Sequence, residues 1–164
     1  MKVLVACEYS GRTREAFNAL GHDAWSCDLI PSDDNSPKHI QDSLEHVIGC
    51  GNIHWDLIIA HPPCTYLSNS GVCHLKTDPD RWAKMEQAAE FFRWILDLPF
   101  DAIAVENPVM HGHALKIVGR KATQFVQPWM FGHRETKMTG LWLKGFAAQG
   151  RNRPKGRNDG AASA

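Results

Sequence analysis

The stretch 55-WDLIIAHPPCTYLSNSG-71 decides how the rest of the chain is read. Its greasy run 55-WDLIIA-60 reads as a buried strand. Pro62 and Pro63 cannot continue a central strand, so the chain must leave the sheet there. Cys64 then falls in the first turn beyond the strand end. Open sheets of this kind take ligands at that edge. Cys64 is either a small buried hydrophobe, as free cysteines often are, or a thiol presented to a ligand. Its place after a proline-broken strand favours the second.

Working outward, 100-FDAIAVENP-108 is another strand clipped by a proline, and it ends in Glu106 and Asn107. A glutamate at a buried strand end is costly unless it is paired, caps a helix or performs chemistry. A thiol facing an acid suits addition to an electron-poor ring, with the acid holding a proton as the thiol attacks. Upstream, 2-KVLVAC-7 reads as a first buried strand and 23-DAWSCDL-29 as a second. Between them 10-SGRTREAFNALGH-22 sets Ala16, Phe17 and Leu20 at helical spacing, with Gly21 as a stop. A strand running through Cys7, Glu8, Ser10 and the single glycine Gly11 into a helix is a place for a cofactor. Asp28, followed by Leu29, stands where an acid commonly grips ribose hydroxyls, so the pair points to a nucleoside-containing cofactor. Asp42 is either a helix cap or a contact to a cofactor base.

Residues 31–38 are turn-formers and make a loop. Asp78 and Pro79 open the clearest helix, with Trp82, Met85, Ala89, Phe92 and Leu96 on one face and Pro99 beyond its end. The segments 123-TQFVQPWMFG-132 and 138-MTGLWLKGF-146 read as two more strands, an antiparallel pair at a sheet edge. Trp129, Met130 and Phe131 are assigned to the core or a buried interface, and Trp142 and Leu143 to strand core. His111 and His113 read as surface histidines at a helix start. Strands alternating with helices predict a three-layer α/β domain with a mostly parallel sheet.

A chain of 164 residues is a single domain on the prior of ~100–200 residues per domain. The predicted division is a domain over 1–146 and a basic, flexible tail over 147–164, which holds Arg151, Arg153, Lys155 and Arg157. Net charge is zero, so no global basic signal points to nucleic acid; a local patch would suffice. No run is long enough for a membrane span, and no signal-like apolar region opens the chain, so a cytoplasmic protein is expected. The five cysteines are an odd number and are expected to be free thiols. His61, Cys64, Cys73 and His74 could be written as metal ligands, but their spacing matches no common zinc pattern and no metal is expected.

"HPPC" and "VENP", in that order, resemble the Pro-Cys nucleophile loop and the Glu-Asn-Val segment of DNA cytosine-5 methyltransferases, with Pro108 in place of valine. The chain resembles in particular a short, phage-borne branch of that family, over about residues 2–146. The resemblance implies a Rossmann-like methyltransferase fold and S-adenosylmethionine as cofactor. It implies that Cys64 attacks carbon 6 of cytosine while Glu106 holds ring nitrogen 3. The loop from Cys7 to Gly11 would hold the methionine part, Asp28 with Leu29 the ribose, Asp42 the adenine, and Pro62 would border the same cofactor. Asn107 would support the loop holding Cys64, it and Pro63 would belong to the substrate side of the site, and Arg134 or Lys137 would replace the family's arginine near the base oxygen. The implied partner is double-stranded DNA with the target base flipped out, and the implied role is protection of phage DNA from host restriction. The family's Phe-x-Gly-x-Gly loop is replaced by "CEYSG", and there is no room for its target-recognition domain. A homodimer through "QPWMF" would supply the missing second face. Amino-methyl transfer, the same carbon-5 chemistry on RNA or a free nucleotide, and a non-catalytic cofactor- or DNA-binding subunit are the competing readings.

Overall fold

The computed structural model describes residues 1–146 apart from 52, 77 and 79. The tail 147–164, Pro79 and their assigned roles lie outside the described residues. In chain order the elements are β1 (Lys2–Ala6), α1 (Arg12–Ala19), β2 (Asp23–Asp28), β3 (His39–Gln41), α2 (Leu44–Gly49), β4 (Leu57–Ala60), α3 (Asp80–Asp97), β5 (Ile103–Pro108), α4 (Gly112–Val118), β6 (Gln124–Val126) and β7 (Thr139–Lys144). Short 3₁₀ helices cover Asn69–Lys76 and Pro128–Phe131.

The strands form one seven-stranded sheet in the order β3-β2-β1-β4-β5-β7-β6. The first five are mutually parallel; β7 runs antiparallel to both β5 and β6. Val3, Leu4, Val5 and Ala6 are all fully buried, so both faces of β1 are covered and the domain has three layers. One face packs Leu4, Ile58, Ile103 and Val105 against Met85, Ala89 and Phe92 of α3. The other packs Val3, Val5, Ala24 and Leu57 under Phe17 of α1. Trp142 of β7 lies edge-on to Phe92, with ring centroids 4.9 Å apart, which ties the antiparallel edge to α3. Such a pair adds about 1 kcal/mol beyond its buried area.

The mostly parallel α/β sheet with an antiparallel edge pair is as expected. Several local expectations are corrected. Leu20 is 74% exposed, while Arg14 of the same helix is fully buried. A lone leucine past the last helical turn has no core to meet, whereas Arg14 finds oxygen partners on three sides. The strand expected over 123–132 stops at Val126, because the chain turns at Pro128 into a 3₁₀ helix. Trp129, Met130 and Phe131 are consequently exposed rather than core. β3, α2 and α4 are too short to show a period in sequence. The cap of α2 is Ser43, whose hydroxyl accepts the His46 amide, rather than Asp42.

Candidate active site

The parallel strands present their C-terminal ends along one edge. The order of strands reverses between β1 and β4, which opens a crevice there. Ala60 pairs with Val105, so the residues that follow, His61 and Glu106, emerge side by side. The His61 amide still donates to Ala6 O at 3.0 Å, after which the two prolines carry the chain off the sheet.

Cys64 follows in a tight turn whose carbonyl accepts the amides of Leu67 and Ser68, both at 3.0 Å. Its side chain is half-buried and unbonded to other cysteines. Three sets of contacts hold this turn. Arg81, at the start of α3, lies over the Tyr66 ring at 5.0 Å and donates to Thr65 O at 3.0 Å. The Asn69 amide donates to Val109 O at 2.8 Å. His111 donates from Nε2 to Tyr66 O at 3.0 Å, its amide reaches Leu67 O at 3.0 Å, and its Nδ1 accepts the Ala114 amide. The helix cap at Nδ1 fixes the tautomer that places the proton on Nε2. His111 is only 2% exposed, which corrects its reading as a surface histidine. Sequence alone hid this role; the signal was a histidine at a helix N-cap position just after Glu-Asn-Pro. His113 instead lies edge-on to the half-exposed Trp82.

Glu106 is about one-third exposed and its Oε2 sits 3.5 Å from His61 Nδ1. Asn107 is fully buried, donates from Nδ2 to Pro108 O at 2.6 Å, and accepts nothing at Oδ1 among the described residues. An unpaired buried acceptor costs ~1–3 kcal/mol, so a position that keeps one favours a bound-state partner.

On the other side of the Cys64 turn lies a cavity of about 280 Å³ lined by Cys7, Asp28, Leu29, Asp42, Glu45, Pro63 and Phe91, among others. Ligand sites commonly run from ~300 Å³ upward, so this one suits a nucleoside-sized group. Three carboxylates and two neutral thiols give it its character. Hydrogen bonds from His46 and the Ser43 amide hold Asp42 below the usual carboxylate range. Burial pushes the Cys7 and Cys27 thiols up to about 12, so both stay protonated. A mouth of carboxylates attracts hydroxyls and positive charge and repels phosphate. Cys7 holds φ at +56°, a left-handed conformation that disfavours side chains, so the loop keeps a glycine-like bend without a glycine there.

The other expected residues are placed as follows. Glu8 is buried, and its two oxygens accept the Thr13 amide at 2.6 Å and the Arg14 amide at 3.2 Å; Ser10 donates to it at 3.4 Å. These two, with Gly11, cap α1 and do not line the cavity, and neither does Pro62. Gly11 has φ +72°, and a Cβ there would collide with Arg14 Nη2. Arg134 and Lys137 are exposed on the excursion between β6 and β7. That excursion leaves from Val126 and returns at Thr139, which lies opposite Pro108, so it projects from the same edge as Glu106. Among the described residues no group of three or more His, Cys, Asp or Glu is placed to hold a metal, and no helix is long and apolar enough to cross a membrane.

No family model and no curated protein matches the chain. Solved structures do. A prophage-encoded E. coli protein described as a DNA modification methyltransferase aligns with TM-score 0.54 and 17% identity over 87% of this chain and 46% of its own. The Entamoeba histolytica methyltransferase EhMeth aligns with TM-score 0.55 and 13% identity over 90% of this chain and 53% of its own. The chain thus spans about half the length of these two structures, and at these identities the likeness is one of fold: this chain has the Rossmann-like α/β fold of those two methyltransferases.

Proposed function

We propose that the protein is an S-adenosylmethionine-dependent methyltransferase that adds a methyl group to carbon 5 of cytosine in DNA. The observation that carries the reading is the juxtaposition of the Pro-Pro-Cys turn with Glu106, on adjacent parallel strands and beside a carboxylate-lined cavity. The cofactor fits what the cavity offers. Asp28 would take the ribose hydroxyls, Asp42 the adenine edge, and Leu29, Pro63 and Phe91 the apolar faces. When bound, the cofactor supplies an electrophilic methyl group.

The chain's own residues do the rest. The Cys64 thiolate adds to carbon 6 of the flipped base and forms an S–C bond. Glu106 gives a proton to ring nitrogen 3, so the electron pair released by addition settles on carbon 5 rather than as charge on the ring. After methylation carbon 5 gives up its proton to water, the S–C bond breaks with its electron pair returning to the Cys64 sulfur, and nitrogen 3 returns its proton to Glu106. Asn107 Oδ1 would meet a donor in the closed complex. Arg134 and Lys137, with the exposed Trp129 and Phe131, give the excursion the basic and aromatic character that suits nucleic acid. Flipping a base costs a few kcal/mol, and contacts from this face would help offset it.

The test is transfer of tritiated methyl to DNA, RNA and nucleotides side by side, with 5-fluorocytosine DNA as a covalent trap. Cys64→Ala should lose the trapped species, and Glu106→Gln should lose methylation by orders of magnitude while cofactor still binds. Trapping that survives in Cys64→Ala removes the assignment.

A further inference from the structure

We propose that His61 is the proton reserve of Glu106, a positioning residue through which the acid carries a proton at neutral pH. The inference rests on the methyl-transfer reading above and adds to it a residue that the Pro-Cys and Glu-Asn motifs do not contain.

His61 is the last residue bonded to the sheet, through its amide to Ala6 O, so its backbone is fixed before the prolines begin. Its ring bridges two elements. Nδ1 lies 3.5 Å from Glu106 Oε2 on β5, and Nε2 lies 3.4 Å from Thr13 Oγ1 on α1. The ring and the carboxyl are each about one-third exposed, so both can meet a ligand or solvent. The groups around the ring are few. From β5 it meets Glu106, and from α1 it meets the Thr13 hydroxyl. Behind Thr13 stands Glu8, whose carboxylate is held by the Thr13 and Arg14 amides. On its own turn Cys64 follows three residues later. His61 is the only ion-pair partner of Glu106 among the described residues.

The pair solves a chemical problem. A lone carboxyl is a poor store of a proton at neutral pH, whereas imidazole is the side chain whose charge changes there. A shared site therefore keeps one proton available where a lone carboxyl would not. As Cys64 adds, the one shared proton moves from His61 Nδ1 to Glu106 Oε2, and the carboxyl passes it to ring nitrogen 3, leaving a neutral imidazole and a carboxylate. When the S–C bond breaks, nitrogen 3 returns its proton to Glu106, and His61 recovers its own. No proton is consumed by the pair over a cycle. Thr13 keeps the ring's second nitrogen engaged.

The experiment is single-turnover methylation between pH 5.5 and 8.5, at saturating cofactor and DNA, with wild type, His61→Gln and Thr13→Val. His61→Gln keeps a donor toward Glu106 but cannot titrate. It should lose roughly 100-fold in rate at pH 7.5, the low end of what a positioned acid contributes, with KM for DNA little changed. Its rate should recover toward low pH, so the optimum moves to the acid side. Thr13→Val, a near-isosteric change, should lower the rate a few-fold in the same direction and serves if His61→Gln does not fold. An active wild type whose variants keep its pH profile overturns this inference alone. A wild type that transfers methyl to no substrate overturns the functional reading and the inference with it.

Discussion

Gly11 offers a decisive perturbation, because a family-style reading and the structure give different reasons for it. Gly11 stands at the start of α1 with φ +72°. An alanine there accepts left-handed strain of ~1–2 kcal/mol. Its Cβ would also overlap Arg14 Nη2 and approach Asp34 Oδ2 to 2.9 Å. Arg14 is fully buried, donates to Ser26 Oγ at 2.7 Å and to Glu15 at 2.9 Å, and pairs with Asp34. Leaving a buried charge uncompensated costs ~3–5 kcal/mol. Partial displacement of the guanidinium plus strain therefore puts Gly11→Ala at about 3 kcal/mol, well short of the sum because the Glu15 contact can persist. Urea unfolding followed by tryptophan fluorescence measures this. In an Arg14→Met background only the strain remains, so the double-mutant cycle should show a coupling of ~2 kcal/mol. Equal costs in the two backgrounds would refute the packing argument. They would return Gly11 to a cofactor role, visible as weakened S-adenosylmethionine binding in a folded variant.

Other outcomes follow from the cavity, the thiols and the exposed excursion. Asp28→Ala should weaken S-adenosylmethionine binding by ~1–3 kcal/mol in isothermal titration, the range for hydrogen bonds to a charged group; unchanged affinity would remove Asp28 from the ribose site. Cys7 and Cys27 are raised to about 12 in the fold, so their contribution to stability is complete below the unfolded thiol value and lost as pH rises through ~9–12. Thermal melts should therefore fall across that window, and a thiol reagent at pH 8 should label Cys50 and Cys73 long before Cys27. Light scattering of the 18.4 kDa chain, free and with DNA, tests whether the exposed Trp129, Met130 and Phe131 join two copies; loss of a dimer in Phe131→Ser would support that, and a monomer throughout would leave the face to DNA.

The parallel core was legible because its signal is local. The run Leu57 to Ala60 is apolar at every position, and the prolines after it and after Asn107 mark strand exits that the structure keeps. Met85, Ala89, Phe92 and Leu96 repeat at helical spacing, and all four are buried. What was not legible depends on contacts between distant segments. Arg14 looks like a surface charge until Ser26 and Asp34 are brought to it from β2 and the following loop. His111 looks exposed until the Cys64 turn packs over it, 45 residues away in sequence. The same holds for His61, which sequence offers only as a poor metal ligand. Glu8 and Ser10 sit where a cofactor loop is expected, yet the unsatisfied amides of α1 claim their oxygens first.

The two prolines before Cys64 now have a physical reason. The sheet order reverses between β1 and β4, so the β4 exit is the wall between two regions of one crevice. On the β2 side lie the carboxylates Asp28, Asp42 and Glu45; on the β5 side lie Glu106, Asn107 and the root of the 127–138 excursion. A reaction that joins a group held on one side to a base held on the other needs its nucleophile at that wall, at a fixed height above the sheet. Proline fixes φ and removes an amide donor, so two in succession forbid the strand from continuing and narrow the paths the chain can take. Arg81 and His111 then hold the turn from α3 and from the start of α4. β7 carries the chain to Lys144, opposite Ile103, at the far edge of the sheet. Within the described residues the excursion extends the site edge where Glu106 emerges, and the proposed reading gives its aromatic and basic side chains to a large substrate.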